Sequence, residues 1–336
     1  MSSPGIFCSW LFCVPCEEQG EKEENYEMLR RDFLKGVAFT ALAAGLLKRI
    51  PLGAAVKKDE KCDLAAVRGG NPGDMFDLAI AELGGMGAFV RKGQKVVVKP
   101  NIGWNSLPEE GADTNPELVG RIVKRALEAG AAKVIVFDHT CDADWVSCYK
   151  RSGIRDAVEK AGGVMVTGND KSVYREVEIP GAKVMKKALV HPALLEADVV
   201  INVPVLKNHG GATMTCAMKN YMGVVWDRRW MHKNKLEQTI ADSVLIRKPD
   251  LNVVDASLVM THGGPTGRSA RSRRVRMDSL LASRDILAID TAAVKMLGVT
   301  MPPNRNYLEK AAELQLGERD LKKLKIKRIV TSKRKS

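Results

Sequence analysis

The sequence predicts a doubly wound α/β fold on a mostly parallel sheet, and three observations carry that prediction. Short β-branched runs alternate with amphipathic stretches from residue 95 onward, an alternation that favours parallel strands joined by right-handed crossovers. Val199–Val203 reads as an apolar strand buried on both faces. Asn115-Pro116-Glu117 supplies a capping side chain, a proline at the first helical position and an acid in the first turn, which together open a helix.

Taken in order, the chain begins with two segments that belong to no fold. Arg30-Arg31-Asp32-Phe33-Leu34-Lys35 precedes an apolar run, Gly36 to Leu47, then Lys48-Arg49 and the small residues Gly53-Ala54-Ala55. A basic region, a short apolar stretch and small residues at a cleavage point define a secretory signal. The arginine pair makes it resemble a twin-arginine signal, which is a receptor-read address and not an anchor. The apolar run is also well short of the about 20 residues needed to span a bilayer. Residues 28–55 are therefore expected to be the signal, delivering a periplasmic protein through the bacterial twin-arginine translocase. Residues 1–27 hold Cys8, Cys13 and Cys16 beside an acidic run, Glu17 to Glu27. They are read as an upstream extension ahead of a start at Met28; the rival, a cysteine tail bearing metal or lipid, lacks a fourth ligand.

The α/β domain is expected over residues 60–300. Lys95–Val98 is the first clear strand; the helix from Asn115 keeps Leu118, Ile122, Val123 and Leu127 on one face and stops at Gly130. Val134–Phe137 and Val164–Val166 read as strands around helical pieces ending at Ile154–Ala161. Leu251–Val254 is a further strand, Asp285–Leu297 a late helix, and Met231–Lys248 a helical segment suited to a lid. Residues 301–336 are expected to form a basic, solvated tail. The whole chain carries 53 Lys+Arg against 40 Asp+Glu, a net +13, which favours acidic ligands or surfaces. Export argues against nucleic acid as a partner, and no segment after the signal is apolar enough to anchor in a membrane.

In an open parallel sheet, ligands bind beyond the carboxyl ends of the strands, so the residues delivered there are the candidates. The first strand delivers Lys99-Pro100-Asn101, the second Asp138-His139-Thr140, and Val199–Val203 leads to Lys207-Asn208-His209. Leu251–Val254 leads to Asp255 and then Thr261-His262. Two loops repeat one pattern: His209-Gly210-Gly211-Ala212-Thr213 and His262-Gly263-Gly264-Pro265-Thr266. Paired glycines allow close backbone approach and an anion nest; read singly, each is a tight turn. With Lys207 and Lys219-Asn220 nearby, the two loops together point to a ligand site.

Cys141 and Cys148 flank Trp145 seven residues apart and are candidates for a disulfide in an oxidising compartment; a continuous helix would hold them about 10 Å apart along its axis. Cys216 is a candidate soft metal ligand beside His209, or a lone buried thiol. Arg268, Arg271, Arg273, Arg274 and Arg276 form either a gathering loop for phosphate or carboxylate or a solvated one.

The segments VVVKPNIGW at 96–104, DTNPELV at 113–119, ADVVINVPVLKNHGGATMTCAMKNYMGVV at 197–225, GGPTG at 263–267 and DTAAVKMLG at 290–298 together resemble the family called domain of unknown function 362. The resemblance covers residues 60–300 and implies an α/β protein remotely similar to the nickel-dependent lactate racemase fold. Its pattern falls on Lys99, Asn101, Thr114, Pro116, Lys207, His209, Lys219, Asn220 and Gly223. Some members carry ferredoxin-like modules; this chain has no such cysteine run, so that cluster is not carried over. The cofactor is accordingly unknown, with a metal ion or redox centre the candidate.

The leading expectation is an exported protein whose crevice binds an anionic ligand or a metal or redox cofactor, with a small anion or a redox protein as partner. Lys99, Lys207 and Lys219 would supply charge, and His209, Asp138 and Lys207 acid–base or metal chemistry. One rival is a non-catalytic periplasmic binder of acidic small molecules or envelope polymers. Another is a lactate-racemase-like isomerase.

Overall fold

The computed structural model describes residues 61–331; Arg30, Arg31, Met28 and the upstream cysteines lie outside them. The strands are β1 (Leu64–Arg68), β2 (Lys95–Pro100), β3 (Lys133–Val136), β4 (Val164–Met165), β5 (Arg175–Glu178), β6 (Lys187–Val190), β7 (Val199–Val203), β8 (Val205–His209), β9 (Thr213–Thr215), β10 (Leu251–His262), β11 (Arg273–Ser283) and β12 (Ile326–Val330). The helices are α1 (Pro72–Glu82), α2 (Pro116–Glu128), α3 (Trp145–Arg151), α4 (Ile154–Lys160), α5 (Pro192–Leu195), α6 (Ala217–Asn220), α7 (Arg228–Lys233), α8 (Leu236–Val244), α9 (Ile286–Leu297) and α10 (Tyr307–Glu313).

The main sheet runs β12-β1-β11-β10-β7-β2-β3-β4, with β8 against β10 and β9 against β8. Pairing is parallel except where β11 meets β1 and β10 and where β9 meets β8. β5 and β6 form a separate antiparallel hairpin. Alternate strand residues face opposite layers, as a pleated strand requires. Val96, Val98, Ile201, Val203 and Leu251 join Phe76 of α1 and Ile122 of α2 in one core. The intervening residues face α6 and α9, which pack on the other side. Helices on both faces make the sheet doubly wound, as expected. Burying a Val or Ile from both layers contributes about 1.5–3 kcal/mol each, which is why β7 is buried at every position.

β7 nevertheless contains a polar residue that its apolar reading passed over. Asn202 is fully buried, and its Nδ2 donates to the Ala217 carbonyl at 2.9 Å and to Asn252 Oδ1 at 3.0 Å. Asn220 in turn donates to Asn202 Oδ1 at 2.8 Å and to Lys99 O at 3.1 Å. A buried amide is tolerated only when its hydrogen bonds are met, and this chain of amides meets them while stitching β10, β7 and β2 to α6.

The chain steps from β2 outward to β3 and β4, then crosses to β7 on the other side of β2. Strand order therefore reverses between β2 and β7, and a crevice opens beyond their carboxyl ends. Four expectations change here. The segment 231–248 splits at Asn234 into α7 and α8; α8 is buried from Gln238 to Val244, so it is core and not a lid. β10 runs on to His262 because β11 and β8 pair with it beyond the end of β7, which leaves Asp255 inside the strand. Arg273, Arg274 and Arg276 lie on β11, in its exposed half. Within 301–331, α10 packs on α8 and β12 pairs in parallel with β1, so this stretch is folded. Among the described residues, no helix is long and apolar enough to cross a membrane.

Candidate functional site

A cavity of about 550 Å³ sits at the strand reversal, walled by Asp138, Lys207, His209, Lys219, Trp226 and Arg228 among others. β2 ends in Lys99, which is 1% exposed, and its Nζ meets Asp138 Oδ1 at 2.7 Å and Asn220 Oδ1 at 2.9 Å. Burial lowers the Lys99 ammonium from its ordinary value, and Asp138 pulls it back toward protonation. Asp138 follows β3 and is fixed by its backbone: Tyr149 Oη accepts from Asp138 N at 3.0 Å and donates to Asp138 O at 2.6 Å. Its other carboxylate oxygen accepts from Ile102 N at 2.7 Å. Gly223 lies directly over the pair, where a Cβ would fall 2.0 Å from Asp138 Oδ1; glycine is required here for room. Asp138 is thus engaged in holding Lys99 and the loop after β2.

Lys207 comes from β8 and is 1% exposed. Its Nζ donates to Asn101 Oδ1 at 2.7 Å and to the Ala112 carbonyl, both neutral acceptors. Asp113 lies next to them, holding Gly103 N at 2.8 Å and Trp104 N at 3.2 Å with Oδ1 while its Oδ2 is unpartnered. Burial pushes the Asp113 carboxyl up to about 8 and the Lys207 ammonium down to about 8, each countered by the other's charge. Thr114 ties the loop down, accepting from Asn101 N and donating to Val203 O at 2.7 Å.

Lys219, on α6, is 9% exposed, and among the described residues its Nζ contacts only the Met222 sulfur, at 3.3 Å. Burial lowers it to about 8, and Arg228, Lys207 and Lys99 act in the same direction. No carboxylate of the described residues accompanies it. The short α6 is anchored from below, because Asp290 of α9 accepts from Ala217 N (2.7 Å) and Met218 N (3.0 Å).

Burial lowers the pKa of each cavity histidine, His139, His209 and His232. His209 Nδ1 accepts from Gly211 N (3.0 Å) and Ala212 N (3.1 Å), which places the ring proton on Nε2. Burial and the neighbouring Lys219, His232 and Lys207 push its pKa far below the ordinary range. His139 stacks on Trp226 with ring centroids 4.6 Å apart, and burial holds it at about 4. Arg228 spans the mouth, donating to the carbonyls of His139 (2.7 Å) and Thr140 and to Cys141 Sγ at 3.2 Å. Arg268 reaches across from the β10–β11 loop to Asp142 and lies over Trp104.

Of the residues chosen from sequence, Lys99, Asn101, Asp138, Lys207, His209, Lys219 and Asn220 converge, and Thr114 braces them. Other choices are corrected. The glycine pair Gly210-Gly211 is no anion nest, because the amide of Gly211 and that of Ala212 are spent on His209. Asn208 is absent from the cavity wall; it pairs with Met214 across β8 and β9, and its side chain donates to Thr213 O at 3.5 Å. His262 is exposed at the far end of β10, and of its loop only Pro265, not Gly263 or Gly264, reaches the cavity. Cys141 and Cys148 are free: the first is exposed at the mouth, the second buried in α3, so the expected disulfide is not formed. Cys216 is buried against Asp290, away from the cavity wall. With His209 Nδ1 occupied, a His209–Cys216 metal pair does not fit. Among the described residues, no three His, Cys, Asp or Glu side chains are grouped to hold a metal. His139, delivered with Asp138 at the end of the second strand, also lines the cavity; Asp113, Trp226 and Arg228 were missed, and Asp113 opens the DTNPELV segment, whereas nothing in the sequence around Arg228 singles it out.

The chain is similar to the thylakoid-associated protein sll1697 of Synechocystis, with 29% identity over 231 residues that span 64% of this chain and 66% of that protein. Among solved structures, the lactate racemase apoprotein from Thermoanaerobacterium thermosaccharolyticum matches at 12% identity and a TM-score of 0.38, over 66% of this chain and 55% of that one. A family model matches residues 96–295, the stretch that holds every cavity-forming residue named above. The chain belongs to the family described as Domain of unknown function (DUF362).

Proposed function

We propose that the cavity binds a small anion, and that Lys219 is the group that receives it. The observation that carries this reading is a buried ammonium on the cavity wall with no carboxylate partner. An ionised group out of water is costly unless paired, and an incoming carboxylate or phosphate would complete the pairing. Lys207, satisfied only by neutral oxygens, and the Nε2–H of His209 would add donors. The test titrates inorganic phosphate, sulfate and acetate into the protein, followed by the fluorescence of the cavity residues Trp104 and Trp226 and by calorimetry. Lys219→Met should weaken the best of these anions about tenfold or more, the worth of a charge-assisted hydrogen bond. Absence of binding by all three anions, or an unaltered affinity in Lys219→Met, would overturn the reading.

One observation favours catalysis over mere capture. Burial pushes the Asp113 carboxyl up and the neighbouring Lys207 ammonium down, each toward neutrality, where proton transfer is most efficient. The twin-arginine segment supports export, so the natural ligand would be met or loaded on that route. Proton exchange at the α-carbon of a bound carboxylate, followed in deuterated buffer, separates an enzyme from a binding protein.

A further inference from the structure

The cavity holds one nucleophile that the anion-binding reading does not use. Cys141 is exposed at the cavity wall while Cys62, Cys148 and Cys216 are buried. Its sulfur accepts a hydrogen bond from Arg228 Nη1 at 3.2 Å. That guanidinium is itself locked by the carbonyls of His139 and Thr140, so the donor is held in place before any ligand arrives. Its backbone is also fixed, with Cys141 N donating to Gly103 O at 2.7 Å. Negative charge on the sulfur would act on Lys99, Lys207 and Lys219 alike, favouring the protonated form of each. A thiolate is the attacking form of cysteine, and reactive cysteines sit in electropositive, partly exposed surroundings.

Two independent features of the same cavity point to a ligand beside this sulfur. Lys219 is nine-tenths buried with only a thioether for company. Thr215, 6% exposed and also on the wall, has a buried hydroxyl oxygen with no hydrogen-bond partner. Buried polar groups without partners are rare, and here a charged donor and a hydroxyl are unmet in one cavity.

We propose that Cys141 is the nucleophile of this site and that its substrates are small anions carrying an electrophilic carbon. This rests on the anion-binding reading: Lys219 holds the carboxylate or phosphate, and the sulfur attacks the carbon next to it. Iodoacetate is a probe of that class. The Cys141 sulfur forms a bond to the methylene carbon, the carbon–iodine bond breaks, iodide leaves, and the thiol proton passes to solvent.

The experiment treats the full chain separately with iodoacetate and with neutral iodoacetamide, and maps the label by peptide mass spectrometry. Glutathione in the same buffer serves as the unassisted thiol. Cys141 should react faster than glutathione with both reagents, and its iodoacetate-to-iodoacetamide rate ratio should exceed that of glutathione about tenfold or more, the scale of local charge focusing. Lys219→Met should bring the ratio back toward the glutathione value, and Lys219→Arg should retain the preference. Cys141→Ser should leave that peptide unlabelled. If Cys141 reacts no faster than glutathione with either reagent, the nucleophile is wrong, while anion binding measured separately stands. If it reacts fast but without preference for iodoacetate, the substrate class is wrong, while the anion-binding reading is decided by the phosphate, sulfate and acetate titrations.

Discussion

At the scale of single residues, the site is a set of buried charges whose partners differ. Lys99 has Asp138, Lys207 has Asp113 nearby, and Lys219 has no carboxylate. Asp113 gives this a pH signature. Burial raises its carboxyl from 3.8 to about 8, so the fold holds that proton more tightly than the unfolded chain does. The group's contribution is most favourable below pH 4 and is lost as the pH climbs to about 8. Asp113→Asn keeps an oxygen for the amides of Gly103 and Trp104 but carries no proton to lose. Urea midpoints measured for both proteins should therefore shift in favour of the variant between pH 5 and pH 8. A difference that stays constant over that range would mean that Asp113 is already ionised at pH 5, paired with Lys207.

At the scale of elements, the position of Lys219 depends on a helix of four residues. So short a helix has little stability of its own, and α6 is held by Asp290 from α9 and by the Asn202–Asn220 amides from the sheet. Asp290→Ala would strand two buried N–H donors at about 1–3 kcal/mol each and release the start of α6. Phosphate affinity should drop together with the urea midpoint. Asp290→Asn, which keeps one acceptor oxygen, should fall between the variant and the parent in both measurements. Equal phosphate affinity in all three proteins would show that α6 is held by the sheet alone.

The same elements show what was legible in the sequence. β2, α2, β3, α4, β7 and α9 declare themselves through periodicity and caps, since local pattern and final burial agree. β11 and β12 do not, because their arginines and lysines resemble a loop and a tail; only pairing with β10 and β1 makes them strands. Lys99 and Lys207 were legible because they come at the carboxyl ends of strands, and Lys219 because it falls in the family's KN segment. The repeat of H-G-G-x-T was misleading, as sequence cannot show that β10 overshoots the sheet and carries His262 away. Asp113 and Arg228 act through long-range contacts, to Lys207 and to the loop after β3, that no local spacing encodes.

At the scale of the whole molecule, the net charge of +13 and the buried lysines govern different parts of binding. Surface charge steers an anion toward the cavity over distances set by the Debye length, about 10 Å at 0.1 M salt and 3 Å at 1 M. Lys207 and Lys219 act only after entry, at contact distances and shielded from solvent ions. Raising the salt should therefore slow phosphate association severalfold while leaving its dissociation rate nearly unchanged, the usual division between steering charges and buried ones. Stopped-flow fluorescence from Trp104 and Trp226 would follow both rates. Running the series with chloride and with a polymeric sulfonate separates competition for the cavity of about 550 Å³ from screening, since a polymer is too large to enter it. A dissociation rate that rises steeply with either salt would place the bound anion on the exposed arginines of the β10–β11 loop, with Arg268 as its main contact, and leave the buried lysines without a ligand.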